Sequence, residues 1–275
     1  MIIGNESLDL KLCLTDSAQC FHWKETERGF AAVVDGRPVE LWQQKDEICA
    51  EGEFTKEELR HYLDLDRDYG AVAAQYAHIP QARRAIELYP GLRVLNQPAW
   101  EALIAFILSA NNNVGRIRTL VRAVSRELGP AFEWKGETLY GFPGPEALAD
   151  CSEERLRSLG VGYRAPFLRK TARLVLDGFP IADLGCKCYG EAHGLLTSLP
   201  GVGDKVADCV LLFGCGQTSA FPVDVWVERL LKSWFGIEGL SRKKMMLAAR
   251  KLLGENAGLL QQFLFHAARM GDIEL

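Results

Sequence analysis

The chain has 275 residues, 48% hydrophobic and 25% charged, with a formal net charge of −4. That is enough length to bury a large core, a composition ordinary for a globular protein, and too little basic excess to mark a general nucleic-acid binder. No apolar run approaches the ~20 residues that span a bilayer. Met1–Leu14 carries Glu6, Asp9 and Lys11 among its apolar residues, so it does not read as a secretion signal, and eight scattered cysteines then read as reduced thiols of a cytosolic protein. The charge is unevenly placed. Residues 1–75 hold 8 Lys+Arg against 16 Asp+Glu, a net of −8, and the remainder hold 24 against 20, a net of +4.

The first 52 residues or so read as strands. Leu8-Asp9-Leu10-Lys11-Leu12 alternates, and Gly29 to Val34 and Pro38 to Trp42 flank Asp35-Gly36-Arg37, a hairpin signal. Between them lies an aromatic-rich loop, Asp16-Ser17-Ala18-Gln19-Cys20-Phe21-His22-Trp23. From Thr55 the period turns helical, and Thr55-Lys56-Glu57-Glu58 is a capping box before Leu59 and Leu63. Ala71 to His78 and Gln81 to Leu88 follow as helices, with Pro80 and Pro90 as breaks, and the spacing over Trp100 to Leu108 predicts a buried helix. Asn111, Asn112 and Asn113 favour a loop and a cap before a helix over Thr119 to Leu128. Arg116, Arg118, Arg122 and Arg126 run with no acid between them, either a solvated helix face or a phosphate-facing surface. Helices over Pro145 to Ala149, Glu153 to Leu159 and Phe167 to Leu176 surround a Gly-x-Gly turn, Leu159-Gly160-Val161-Gly162-Tyr163-Arg164. Asp183 to Tyr189 reads as a loop, and its Cys186-Lys187-Cys188 lacks the second pair that a metal site needs.

The most informative stretch follows: Leu199-Pro200-Gly201-Val202-Gly203-Asp204-Lys205-Val206-Ala207-Asp208-Cys209. A helical candidate, Tyr189 to Ser198, precedes it and an apolar run of helical period continues it, so the pattern is helix, tight glycine hairpin, helix. Gly201 and Gly203 let the backbone turn sharply and approach a ligand. The free N–H groups and positive dipole end of the second helix suit a phosphate. Lys205 sits at that same positive end, where a cation gains no stability. The dipole and desolvation both lower an amine pKa, the usual route to a Schiff-base lysine. Asp224, in Pro222-Val223-Asp224-Val225-Trp226, stands before another helical run, placed to cap it and to face the lysine. Taken singly these are a surface lysine and a helix cap; together, beside the hairpin, they favour chemistry. Near the C-terminus Gly258 to Ala267 reads as a helix with Gln261 and Phe265 on one face, as Lys205 and Cys209 share theirs.

The hairpin sequence followed by Pro-Val-Asp-Val resembles the helix-hairpin-helix, Gly-Pro-Asp superfamily of base-excision DNA glycosylases. The lysine, with a cysteine four residues on, resembles its 8-oxoguanine DNA glycosylase/lyase branch, over nearly the whole chain. The resemblance implies an α+β fold: a small N-terminal antiparallel β-sheet domain with a flanking helix, residues 1–75, packed on a mostly α-helical glycosylase domain, residues 76–275, with the hairpin at about 189–214. It implies Lys205 as nucleophile and Asp224 as the partner carboxylate. Around the extruded base it implies Ala18, whose main-chain carbonyl accepts the N7–H that distinguishes 8-oxoguanine from guanine, then Cys209 and Phe265 as a sandwich and Gln261 on the Watson–Crick edge. Asn111 fills the gap, Arg116 and Arg164 clamp the estranged cytosine, and Tyr163 wedges beside the opened step. Gly201, Gly203 and Trp226 face DNA phosphates.

Three features depart from the wider family. Ala18 stands where glycine is usual. Trp226 replaces a histidine common in eukaryotic members, though its indole N–H can still donate to phosphate. No cysteine follows Cys215, which excludes the C-terminal iron–sulfur cluster of the endonuclease III and adenine-glycosylase relatives. The departures fit a bacterial member acting at the nucleoid in the cytoplasm; a eukaryotic one would be nuclear. The implied partner is double-stranded DNA carrying oxidised guanine opposite cytosine, bound by a monomer with no membrane involvement. The implied reaction is attack of Lys205 on C1′, oxocarbenium stabilisation by Asp224, and β-elimination from the Schiff base. It needs no redox cofactor or catalytic metal, although the hairpin carbonyls could hold a structural monovalent or calcium ion. Two other readings stay open: a monofunctional alkyl-base glycosylase, which keeps the aspartate and lacks the lysine, and a non-catalytic helix-hairpin-helix DNA-binding protein, which needs neither the Lys205–Asp224 pairing nor the Asn-Asn-Asn motif.

Overall fold

The computed structural model describes residues 1–4 and 7–274, so Glu6 of the N-terminal pattern lies outside the described residues. Five strands, β1 (Ile2–Gly4), β2 (Lys24–Glu25), β3 (Phe30–Val34), β4 (Arg37–Gln44) and β5 (Glu47–Gly52), form an antiparallel sheet in the order β1-β5-β4-β3-β2. The expected hairpin is present: Val34 pairs with Arg37, and Asp35 and Gly36 both take positive φ, 49° and 71°. This is the turn whose twist matches paired strands. Leu8–Leu12 is not a strand. Asp9 Oδ1 accepts from the Leu12 N–H at 2.9 Å and its carbonyl from the Cys13 N–H at 3.0 Å, starting a wide helical turn over Leu12–Asp16. Leu8, Leu10 and Leu12 are all buried, so the alternation recorded burial, while the short side chain of Asp9 closed the backbone into a turn.

β3 is buried along its whole length because its outer face is covered. A second hairpin, β6 (Ala131–Trp134) and β7 (Glu137–Tyr140), packs Leu139, Phe132 and Trp134 onto Ala31 and Val33. This hairpin is not among the elements expected from the sequence; its cue is the alternation on either side of Lys135-Gly136.

The helices are α1 (Lys56–Tyr62), α2 (Tyr69–Tyr76), α3 (Pro80–Leu88), α4 (Ala99–Ser109), α5 (Val114–Leu128), α6 (Pro145–Asp150), α7 (Glu153–Ser158), α8 (Ala165–Leu176), α9 (Tyr189–Thr197), α10 (Asp204–Gly214), α11 (Val225–Phe235), α12 (Arg242–Leu253) and α13 (Ala257–Met270). The capping box of α1 forms in both directions between Thr55 and Glu58. Pro80 begins α3 rather than breaking it, as suits a residue whose missing N–H is unneeded in the first turn. α5 starts earlier than expected because Asn113 caps it, accepting from the Arg116 N–H at 2.9 Å. Within the expected loop after α8, Ile181–Cys186 winds into a 3-10 turn. α4, buried from Glu101 to Ser109, is the central helix and packs on α10, where Phe106 stacks on Phe213 at 5.4 Å. One continuous apolar core runs from Ile3 to Ala268. No helix of the described residues is long and apolar enough to cross a membrane.

Glu101 of α4 holds the sheet turn: its Oε1 accepts from the Asp35 N–H at 3.0 Å, while its buried Oε2 has no partner. Burial pushes its carboxyl up to about 8. Between its ordinary value and about 8 the folded chain keeps a proton that the unfolded chain has lost, so this group lowers stability as pH rises through that window. Glu101→Gln keeps the acceptor and removes the titration. Calorimetry should show a gain in Tm over wild type that is larger at about pH 8.5 than at about pH 5; equal shifts at both would refute it.

Candidate active site and DNA interface

The hairpin between α9 and α10 uses its two glycines differently. Gly201 has φ +81°, and a Cβ there would lie 2.7 Å from the Phe167 ring. At Gly203 a Cβ would meet nothing within 4 Å, and no side chain caps α10. The first N–H groups of α10 are thus open to an incoming anion. A cleft of about 640 Å³ runs past this end, lined by Asn111, Gly201, Gly203, Lys205, Asp224 and Trp226. Trp226 is exposed at its rim, with the Arg229 guanidinium 5.6 Å from its ring centre.

Lys205 is half-buried at the junction of this cleft with a deeper cavity. Its Nζ donates to Ser109 Oγ at 3.3 Å and lies 5.1 Å from the centre of the Phe106 ring. Among the described residues it makes no salt bridge. Asp224 caps α11, its Oδ1 accepting from the Val227 N–H at 2.9 Å, and lines the same deeper cavity.

That cavity also brings together Ala18, Cys209, Gln261 and Phe265, which come from an N-terminal loop, α10 and α13. Burial pushes the Cys209 thiol up to about 11, with the charge of Lys205 acting the other way. Gln261 is 4% exposed, and its Oε1 is buried with no partner among the described residues. Such an acceptor is costly to leave unmet, so it marks where a ligand donor fits. Ala18 sits at φ +60°, in the left-handed region. Its loop is pinned on both sides: Gln262 Nε2 donates to the Ser17 carbonyl and Gln97 Nε2 to the Gln19 carbonyl, each at 2.8 Å. The buried Gln19 side chain in turn binds the Arg93 carbonyl and the Leu95 N–H, also at 2.8 Å. Arg118 and Arg269 donate to the carbonyls of Thr15 and Asp16. The Ala18 carbonyl between them carries no donor among the described residues. The sequence places Arg118 only in a solvated or phosphate-facing run and gives Gln97, Gln262 and Arg269 no role; the cue for Gln262 is a Gln-Gln pair inside an apolar helix. His22, at the far end of the same loop, faces away into a separate cavity of about 660 Å³ between β3, β7 and α5.

A left-handed alanine costs ~1–2 kcal/mol against glycine, part of which glycine returns through unfolded-state entropy. Ala18→Gly should therefore raise Tm by about 1–3 °C and leave base release unchanged, because the carbonyl stays. A lower Tm by calorimetry would contradict the strain at this position.

On the other side of the cleft the structure joins Asn111 to Tyr163. Asn111, at φ +53°, donates through Nδ2 to the Tyr163 hydroxyl at 3.1 Å, and Tyr163 is 51% exposed. Arg116 donates to the Gly160 carbonyl at 3.1 Å and is otherwise exposed. Arg164 is only 6% exposed; its guanidinium donates to the carbonyls of Ala110 and Val161 and lies 4.4 Å from the Tyr163 ring centre. It holds the turn before Asn111. The remaining arginines of the run, Arg122 and Arg126, lie farther along α5 beside the separate cavity.

Residues 104–255 match the model of the HhH-GPD superfamily base excision DNA repair protein, and residues 1–103 that of the 8-oxoguanine DNA glycosylase N-terminal domain. The chain belongs to the HhH-GPD superfamily. It is 38% identical to the "Probable N-glycosylase/DNA lyase" of Methanothermobacter thermautotrophicus, over 92% of this chain and 90% of that protein. With the N-glycosylase/DNA lyase of Saccharomyces cerevisiae it shares 34% identity over 67% of this chain and 52% of the relative. Its structure is similar to that of the Clostridium acetobutylicum 8-oxoguanine glycosylase/lyase in complex with double-stranded DNA containing cytosine opposite 8-oxoguanine. The TM-score is 0.90 at 31% identity, covering 98% of this chain and 94% of that one.

For an HhH-GPD protein the arrangement has a plain chemical content. One amine and one carboxylate share a cavity with a hydrogen-bonding amide, a thiol and an aromatic ring. The hairpin glycines line the adjoining cleft. The cavity thus places a thiol, an aromatic ring and the unpartnered Gln261 Oε1 beside the amine and the carboxylate.

Proposed function

We propose that this HhH-GPD protein is a bifunctional DNA glycosylase/lyase that excises 8-oxoguanine paired with cytosine. The observation that carries the reading is the single cavity shared by Lys205, Asp224, Ala18, Cys209, Gln261 and Phe265. The flipped base stacks between Cys209 and Phe265, pairs its Watson–Crick edge with Gln261, and donates its N7–H to the Ala18 carbonyl. Uncharged Lys205 attacks C1′ while the glycosidic electron pair leaves with the base, which takes up a proton. Asp224 stabilises the positive charge developing on the sugar. Opening of the ring gives an imine on Lys205, loss of a C2′ proton follows, and the 3′ phosphate is expelled, cutting the strand.

Asn111 and Tyr163, already bonded to each other, enter the vacated step together. Arg116 reaches the estranged cytosine. Arg164 either swings out to join it or keeps the Asn111 turn in place. Gly201, Gly203 and Trp226 take the phosphates. Because the amine supplies the nucleophile and the carboxylate the charge stabilisation, no cofactor or catalytic metal enters; a cation at the hairpin carbonyls would act on DNA binding alone. The protein acts as a monomer wherever the cell keeps its chromosome. Lys205 in the cavity favours this reading over a monofunctional alkyl-base glycosylase.

The test is base release and strand cleavage on duplexes carrying 8-oxoguanine opposite cytosine, 8-oxoguanine opposite adenine, and undamaged guanine. Release with cleavage, strongest opposite cytosine, is expected. Release without cleavage would support a monofunctional enzyme, and binding without release a non-catalytic module.

A further inference from the structure

Lys205 and Asp224 line one cavity but share no hydrogen bond or salt bridge among the described residues, so their separation depends on what fastens α10 to the segment 219–224. Asp208 stands three residues after Lys205 and is 1% exposed. It accepts from the Tyr189 hydroxyl, at the start of α9, at 2.7 Å. The backbone of Phe221, three residues before Asp224, lies close by and favours the charged form of this carboxyl. From the far side the Arg250 guanidinium of α12 lies 3.2 Å from the centre of the Tyr189 ring. Arg250 also donates to the Ser219 carbonyl at 2.8 Å and to its hydroxyl at 3.2 Å.

We propose that Asp208 is a positioning residue, whose carboxylate, through Tyr189 and Arg250, fastens α9, α10 and the Ser219–Asp224 segment so that Lys205 and Asp224 meet the same sugar; the proposal rests on the glycosylase/lyase reading. A carboxylate is an expensive way to fill a core position. It makes no salt bridge among the described residues, and burial pushes it up to about 7. An apolar side chain would fill the space at lower cost but would leave the Tyr189 hydroxyl without this acceptor. The carboxylate thus serves the geometry of the site rather than the stability of the core.

The experiment compares wild type with Asp208→Ala, Asp208→Asn and Tyr189→Phe. It reads single-turnover base release, affinity for a duplex carrying an uncleavable abasic-site analogue opposite cytosine, and melting temperature. Asp208→Ala should lose on the order of 10²-fold in base release, the scale of an ångström-level misplacement, with affinity within about twofold. Asp208→Asn keeps an acceptor oxygen in place and should recover most of the rate; Tyr189→Phe should fall between. Should Asp208→Ala fail to fold, Tyr189→Phe decides: a slower rate at unchanged affinity supports the proposal, and a wild-type rate overturns it. A wild-type rate in a folded Asp208→Ala, or equal losses of rate and affinity without rescue by asparagine, also overturns it. A wild type that releases no base overturns the glycosylase reading itself, whereas an active wild type with unaffected variants overturns only the role of Asp208.

Discussion

Lys205→Gln should abolish the covalent enzyme–DNA intermediate and strand cleavage, and lower single-turnover base release by on the order of 10⁴–10⁶-fold, the scale seen when members of a catalytic constellation are removed. The fold should not suffer. The lysine donates to Ser109 without forming a salt bridge among the described residues, and sits in the first turn of α10, where the dipole disfavours a cation. Calorimetry should therefore find Tm unchanged or slightly raised, and a gel-shift with an abasic-site analogue should find duplex affinity within a few-fold. Loss of activity together with a large fall in Tm would instead mark Lys205 as structural.

Asp224 has two roles that one pair of substitutions separates. As the cap of α11 it accepts from the Val227 N–H. Asparagine caps as well as aspartate, while alanine costs about 1 kcal/mol. Asp224→Asn should thus melt within a degree or so of wild type, and Asp224→Ala several degrees lower. Both should lose on the order of 10²–10⁴-fold in base release, because neither carries the negative charge that meets the oxocarbenium. Retention of activity in Asp224→Asn would reduce this residue to a helix cap.

What the sequence disclosed depended on how local each feature is. The hairpin and its lysine lie in one contiguous run, where glycine spacing and helix-end chemistry act between neighbours, and Thr55–Glu58 announced α1 for the same reason. The cavity draws on residues as far apart as Ala18 and Phe265, and only resemblance could group them. The glutamines that pin the Ala18 loop escaped notice because each acts across long sequence separation, Gln262 on Ser17 above all. Leu8–Leu12 shows the limit of periodicity: the leucines are buried as alternation required, yet Asp9 directed the backbone into a helical turn. Arg164 shows another. An arginine beside a glycine turn reads as an exposed contact, and nothing local revealed that the Ala110 carbonyl would draw it inward.

The most direct test is borohydride trapping on a duplex carrying 8-oxoguanine opposite cytosine, with the adduct digested and its modified residue located by mass spectrometry. A single adduct on Lys205, absent from Lys205→Gln and formed slowly by Asp224→Asn, is the expected result. An adduct on the N-terminal amine or another lysine, or base release with no trapped species, would contradict the assignment of Lys205 as the nucleophile.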